Sequence, residues 1–135
     1  EDPRLNYVRL ISVFNRYTPK SSEAPGSGWF DKAAWKDHVS YPQNTVRSIA
    51  ELNKLLERMR TELPKVNVPV LLIHSKDDTY VLPGNLDKVF AGLDHARDKT
   101  KLLIAGSGHV VTRDAVRQQV FEAVLGFIQR VGGSV

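Results

Sequence analysis

The residues best suited to chemistry in this chain are two adjacent carboxylates, Asp77 and Asp78, and a histidine, His109, that follows Gly106-Ser107-Gly108. A carboxylate accepting the Nδ1 proton of an imidazole fixes its tautomer and stabilises its charged form. Nε2 is then left to take a proton from a hydroxyl nucleophile and return it to a leaving group. The glycines on either side of Ser107 permit a tight turn that can project the imidazole outward. A single histidine is weak ground for catalysis, and the bracketing glycines are what raise its standing. Either carboxylate can approach His109 after a modest change in loop conformation, so spacing leaves the two open. Asp77 can equally form a surface ion pair with Lys76 or cap its turn.

Composition narrows the chemistry further. The 135 residues contain no cysteine, which excludes a disulfide framework, a thiolate-held metal and a thiol nucleophile. Nineteen basic and fifteen acidic residues give a formal charge of +4. They are scattered along the chain rather than gathered into a phosphate-binding arm, so nucleic acid is not expected as a partner. The longest apolar runs, such as Val68–Ile73 and Leu102–Ala105, are too short to span a membrane, and no signal-like segment opens the chain. A soluble, cytoplasmic protein is the default expectation. The first residues are Glu-Asp-Pro rather than Met, which suggests processing, trimming or partial coverage of a longer protein.

The candidate residues need elements to position them. Val70–His74 is continuously apolar apart from its last residue, as expected of a buried strand in a parallel sheet, and Ser75–Tyr80 reads as its polar exit loop. Pro83-Gly84 precedes a helical face of Leu86, Val89, Phe90 and Leu93 within Asn85–Leu93. Lys101–Ala105 is a second strand leading into the glycine turn and His109. Val116, Val120, Ala123, Val124, Phe127, Ile128 and Val131 then define a closing helix that stops at Gly132-Gly133.

The repeat of strand, loop, helix predicts an α/β fold with right-handed crossovers, and it places Asp77, Asp78 and His109 beyond the carboxyl ends of neighbouring strands. Two parallel strands expose their edges and leave flanking helices without enough sheet to cover. Further strands are therefore expected N-terminal to this chain or in a partner.

Upstream the pattern is mixed. Leu5 to Tyr17 fits a helix or a connection, and Pro19 through Gly28 is rich in Ser, Pro and Gly and reads as an exposed crossing. Trp29, Phe30 and Trp35 then fall within seven residues. They either pack a small helix onto the body or form an apolar lid facing an acyl-binding cavity, and the two roles are compatible. From Asn44 to Leu63, Val46, Ile49, Leu52, Leu56, Met59 and Leu63 recur at helical spacing, with Asn44 or Thr45 as cap and Pro64 as terminator.

The stretch Pro69-Val-Leu-Leu-Ile-His-Ser-Lys-Asp-Asp-Thr-Tyr-Val-Leu-Pro83 resembles the strand and acid loop of the Ser-Asp-His α/β-hydrolases, especially bacterial carboxylesterases and monoacylglycerol-lipase-like enzymes. Gly108-His109-Val110 resembles their base motif. The resemblance spans about Tyr41 to Val131 and implies the C-terminal portion of an α/β-hydrolase fold, parallel strands flanked by helices, with part of a cap or lid. By it, residues 1–18 are a connection or helix from the core, 19–43 a cap-like segment, and 44–135 the C-terminal half of the core. It assigns Asp78 as the triad acid and His109 as the base. Ser75 stands where many relatives have glycine.

No Gly-x-Ser-x-Gly elbow occurs, since Gly26-Ser27-Gly28 and Gly106-Ser107-Gly108 have the wrong spacing. The resemblance therefore implies a nucleophile and oxyanion hole upstream of Glu1, on the N-terminal half of the same hydrolase, whether covalent or a separate chain. It also implies a small ester or acylglycerol substrate with Trp29, Phe30 and Trp35 as contacts, and neither cofactor nor metal. Alternatives are a non-catalytic binding module of the same fold, or a hydrolase of different substrate.

Overall fold

The structure, a computed structural model, describes residues 11, 13–20 and 26–133. In chain order the elements are β1 (Tyr17–Pro19), α1 (Lys32–Lys36), β2 (Gln43–Thr45), α2 (Val46–Glu62), a 3-10 turn (Leu63–Lys65), β3 (Val70–Ser75), α3 (Gly84–Ala91), β4 (Lys99–Ile104) and α4 (Arg117–Gly132). Most of the helical or connecting pattern expected between Leu5 and Tyr17 lies outside the described residues. The chain divides into two compact units. One holds Val39–Glu62 with the described residues before 24; the other holds residues 26–38 together with the described residues from Leu63 onward.

In the first unit β1 and β2 form an antiparallel ribbon in the register Tyr17↔Thr45, Thr18↔Asn44 and Pro19↔Gln43. Pro19 was expected to open an exposed crossing. It is exposed and also ends a strand, at a position where a missing N–H is tolerated because, among the described residues, the ribbon has two strands. Helix α2 follows β2 directly, and the Thr45 hydroxyl accepts from the Ser48 N–H at 3.3 Å, satisfying one of the helix's first free donors. Val46 and Ala50 form the buried core of this unit, with Ile49 packed against them.

Not all of the expected apolar face turns inward, for Leu52 and Met59 are exposed along with Leu55. The reason is one of size. Three-residue strands run for about 10 Å, whereas the 17 residues of α2 extend about 25 Å, so the ribbon can cover only the helix's first turns.

In the second unit β3 and β4 pair in parallel from Val70↔Lys99 to Ser75↔Ile104. Each strand is one or two residues displaced from its sequence-based boundary, and β4 starts earlier because Lys99 and Thr100 complete the ladder. Helix α3 packs on both strands and α4 on β3. Leu86, Leu93, Ile104 and Val120 are the buried apolar residues of the layer. The ammonium of Lys99 donates to the carbonyls of Phe90 and Leu93 at 3.2 and 3.1 Å, which satisfies acceptors at the end of α3.

On α4 Val120 is buried while Ala123, Phe127 and Val131 are half-buried, at spacings of three and four that define one stripe. Val124 and Ile128, expected on the same face, are exposed beside Phe121 and Leu125. Two strands are too narrow to cover the broader face that the sequence provides. Apolar surface on α4 and at Leu103 of β4 is thus exposed.

Candidate active site

The parallel register sets Ser75 opposite Ile104, so the loops leaving β3 and β4 begin side by side. Asp78 lies in the first loop. Its Oδ1 accepts the backbone N–H groups of Tyr80 at 2.8 Å and Val81 at 3.0 Å, the self-bonded turn that aspartate favours, so the loop wraps around its own carboxylate. Its Oδ2 stands 2.8 Å from His109 Nδ1. The Asp78 side chain is buried whereas that of His109 is 48% exposed, so the imidazole is anchored on one edge and open to solvent on its remainder.

Burial pushes the Asp78 carboxyl up, but hydrogen bonds from His109, Val81 and Tyr80 outweigh it and hold the group below its ordinary value. It is therefore ionised at neutral pH. A second histidine, His74 of β3, has Nε2 at 3.4 Å from Asp78 Oδ2 and 2.9 Å from the Val81 carbonyl. The Tyr80 ring lies 5.8 Å from the His109 ring at a tilt of 52°.

Asp77 is directed elsewhere. Its Oδ2 accepts the Gly106 N–H at 2.7 Å, and its own N–H donates to Ser75 Oγ at 3.1 Å. It is therefore a cross-strand tie on the glycine turn rather than the surface ion pair with Lys76 that the sequence also allowed. Gly106 has φ +79°, a conformation that favours glycine. The hydroxyl of Ser75 donates to the Ser107 carbonyl at 2.5 Å, and that of Ser107 to the Gly108 carbonyl at 3.3 Å. Both serines are buried and engaged in holding backbone, which gives neither a nucleophile's access.

Of the aromatic residues, Trp29 is buried with its ring 5.1 Å from that of His38. Trp35 is half-buried, and a side chain at Gly26 would meet its ring. Phe30 is 52% exposed. Within the expected exposed crossing, Ser27 is exposed whereas Gly26 is not. Gly26 is buried and its carbonyl accepts from the Trp29 N–H at 3.1 Å; residues 21–25 lie outside the described residues. Asp31 caps α1 by accepting from Ala33 and Ala34, and binds the Arg117 guanidinium at 2.9 Å.

One residue had no signal beyond its place five positions after His109. Asp114 is wholly buried and sits where the chain approaches α4. Its Oδ1 accepts from the N–H groups of Phe30 at 3.0 Å, Asp31 at 2.6 Å and Ala115 at 2.8 Å. Its Oδ2 accepts from Gly108 at 2.6 Å and again from Phe30 at 3.2 Å. Burial raises its pKa, and these backbone donors more than reverse the effect, leaving it lowered.

A carboxylate-oriented, half-exposed imidazole at the carboxyl edge of a parallel sheet is an acid-base pair fit to serve a hydroxyl nucleophile. The profile of the family described as serine aminopeptidase, S33, matches residues 27–115, which include Asp78 and His109. A thermostable monoacylglycerol lipase of Bacillus sp. (strain H-257) is 27% identical over 95 residues, covering 70% of this chain and 38% of that protein. A structure reported under LipS and LipT, two metagenome-derived lipolytic enzymes, superposes with a TM-score of 0.77 at 25% identity, over 96% of this chain and 50% of that one. The monoacylglycerol lipase of Paleococcus ferrophilus shares the fold at a TM-score of 0.74 and 17% identity, over 93% and 50% of the respective chains. The chain thus spans about half the length of the solved relatives and less of the curated one. With its parallel strands, flanking helices and matched profile, the chain belongs to the serine aminopeptidase S33 family of hydrolases and forms part of an α/β-hydrolase fold.

Proposed function

We propose that the complete protein hydrolyses carboxylic esters, as a carboxylesterase or monoacylglycerol-lipase-like enzyme, through a Ser-Asp-His triad whose serine lies upstream of Glu1. The observation that carries the reading is the 2.8 Å bond between the buried Asp78 carboxylate and the half-exposed His109. In this scheme Asp78 holds the Nδ1 proton and keeps the Nε2 lone pair outward. His109 takes the serine proton as the hydroxyl attacks the ester carbonyl, then gives it to the departing alcohol. Water, activated by the same Nε2, cleaves the acyl-serine.

Burial of Asp78 strengthens its attraction for the imidazolium formed on the way. Neither a metal nor an organic cofactor has a step in this scheme. Phe30, Trp29 and Trp35 are the apolar residues offered to an acyl chain, with Phe30 the most accessible of the three. The N-terminal half of the hydrolase completes the site and the sheet. Similarity to lipolytic proteins favours a small ester or an acylglycerol over a peptide as substrate.

The test is steady-state kinetics of the complete protein on an aryl ester, a monoacylglycerol and an aminoacyl anilide, with a fluorophosphonate probe to locate the nucleophile. Ester turnover that disappears on labelling of an upstream serine is the expected result. Turnover of the anilide without the esters, or labelling of a serine within residues 1–135, refutes the proposal.

A further inference from the structure

The three residues before His109 are each held by a side chain from elsewhere in the chain: Gly106 by Asp77, Ser107 by Ser75 and Gly108 by Asp114. The last tie differs in kind. Asp114 is 0% exposed and is solvated by four backbone N–H groups, one at Gly108 beside the base, one at the adjacent Ala115, and two at Phe30 and Asp31, more than eighty residues away. The same two segments meet backbone to backbone. A Cβ on Gly108 would fall 1.5 Å from the Gly28 carbonyl oxygen, and Gly28 itself has φ +70°. No side chain separates the aromatic segment from the turn that carries His109, and one carboxylate spans both.

We propose that Asp114 is a positioning residue for His109: it fixes the base turn against residues 28–31, so that the segment bearing Trp29 and Phe30 and the imidazole keep one relative geometry. The inference rests on His109 acting as the base. Asp114 touches neither substrate nor the reacting atoms, and it acts through the Gly108 amide. Buried hydrogen bonds to an ionised acceptor are the stronger class, and the pair at 2.6 Å are at the short end of that class. A fully buried charge is costly unless it is fully bonded, so Asp114 tolerates little movement of its four donors.

In the complete protein Asp114→Asn retains one oxygen but sets an NH2 group against N–H donors on the other side. If the turn shifts by roughly 1 Å, kcat should fall about 100-fold while KM changes little. The downfield NMR signal expected for the His109 Nδ1 proton in its bond to Asp78 should move or broaden, and the acid limb of the pH–kcat/KM profile should shift. Leu93→Ala, which opens the core away from this turn, should lower Tm yet leave the proton signal and the pH profile unchanged.

In the wild-type protein the Gly108 and Asp31 amides, bonded to one carboxylate, should exchange with solvent at protections that agree within roughly tenfold. That measurement stands even if the asparagine variant does not fold. A folded Asp114→Asn with normal kcat, pH profile and His109 signal overturns the proposal, as does a Gly108 amide exchanging freely while Asp31 stays protected. Absence of ester turnover in the wild type would refute the ester reading alone, because the proton and exchange readouts do not depend on a substrate.

Discussion

Replacing Asp78 by asparagine in the complete protein tests the acid assignment, and the hydrogen bonds around it dictate how the new side chain must sit. Oδ1 of Asp78 accepts from Tyr80 and Val81 at 2.8 and 3.0 Å, and Oδ2 faces His109 Nδ1 at 2.8 Å. An asparagine that turns its NH2 toward the two backbone amides leaves both without an acceptor, at about 1–3 kcal/mol each for buried groups. The favoured orientation therefore keeps oxygen on those amides and presents NH2 to the imidazole. His109 must then offer an Nδ1 lone pair, which moves its proton to Nε2, where a base needs the lone pair. The fold survives and the tautomer is wrong.

For the equivalent change in a serine protease of another fold the loss in kcat is about 10⁴-fold, or roughly 5 kcal/mol of transition-state stabilisation, and a fall of that order with little change in KM is expected here. Asp77→Asn retains an oxygen that can accept the Gly106 N–H, so its loss should stay within about tenfold, or about 1.4 kcal/mol. Initial rates on an aryl ester give kcat and KM for both variants, with Tm measured separately. Severe loss for Asp77→Asn with near-normal turnover for Asp78→Asn would refute the assignment.

Four further outcomes are expected. The 135-residue chain by itself should give neither an acylation burst nor sustained ester turnover; either, with contaminating full-length protein excluded by intact mass, contradicts an upstream nucleophile. Trp29→Ala should lower stability by about 3–5 kcal/mol because it empties a buried site. Phe30→Ala should raise KM for longer acyl chains with Tm nearly unchanged, and equal Tm losses for the two would show that both are simply packing residues. Asp78 and Asp114 have pKa values lowered by folding, so each contributes stability that is full above the unfolded-state value and is lost as pH falls through the folded one. Denaturant midpoints should therefore drop below about pH 4, less steeply in Asp114→Asn, and an unchanged slope would mean the carboxylate is not ionised in the fold.

The sequence by itself determined the elements whose pattern is local. β3, α3, β4 and α4 were legible because a buried strand needs an uninterrupted apolar run and a helix repeats its face every three or four residues, and both rules act within about fifteen residues of chain. The glycines before His109 similarly announced a turn through their backbone freedom. What lay beyond was non-local. Tyr17–Pro19 pairs with Gln43–Thr45 across an intervening helix, in strands too short to show a period. The exposure of Leu52, Met59, Val124 and Ile128 follows from how much sheet faces each helix, which no helical periodicity records.

The neighbouring carboxylates make the same distinction at the site. Asp77 and Asp78 are alike in chemistry and adjacent in sequence, and only the closure of the loop sends one to Gly106 and the other to His109. Asp114 in sequence is an acid beside an arginine, indistinguishable from a surface charge. Its buried place among four backbone amides exists only once residues 30–31, 108 and 115 have been brought together, because backbone donors are the same in every residue and leave no trace in side-chain type.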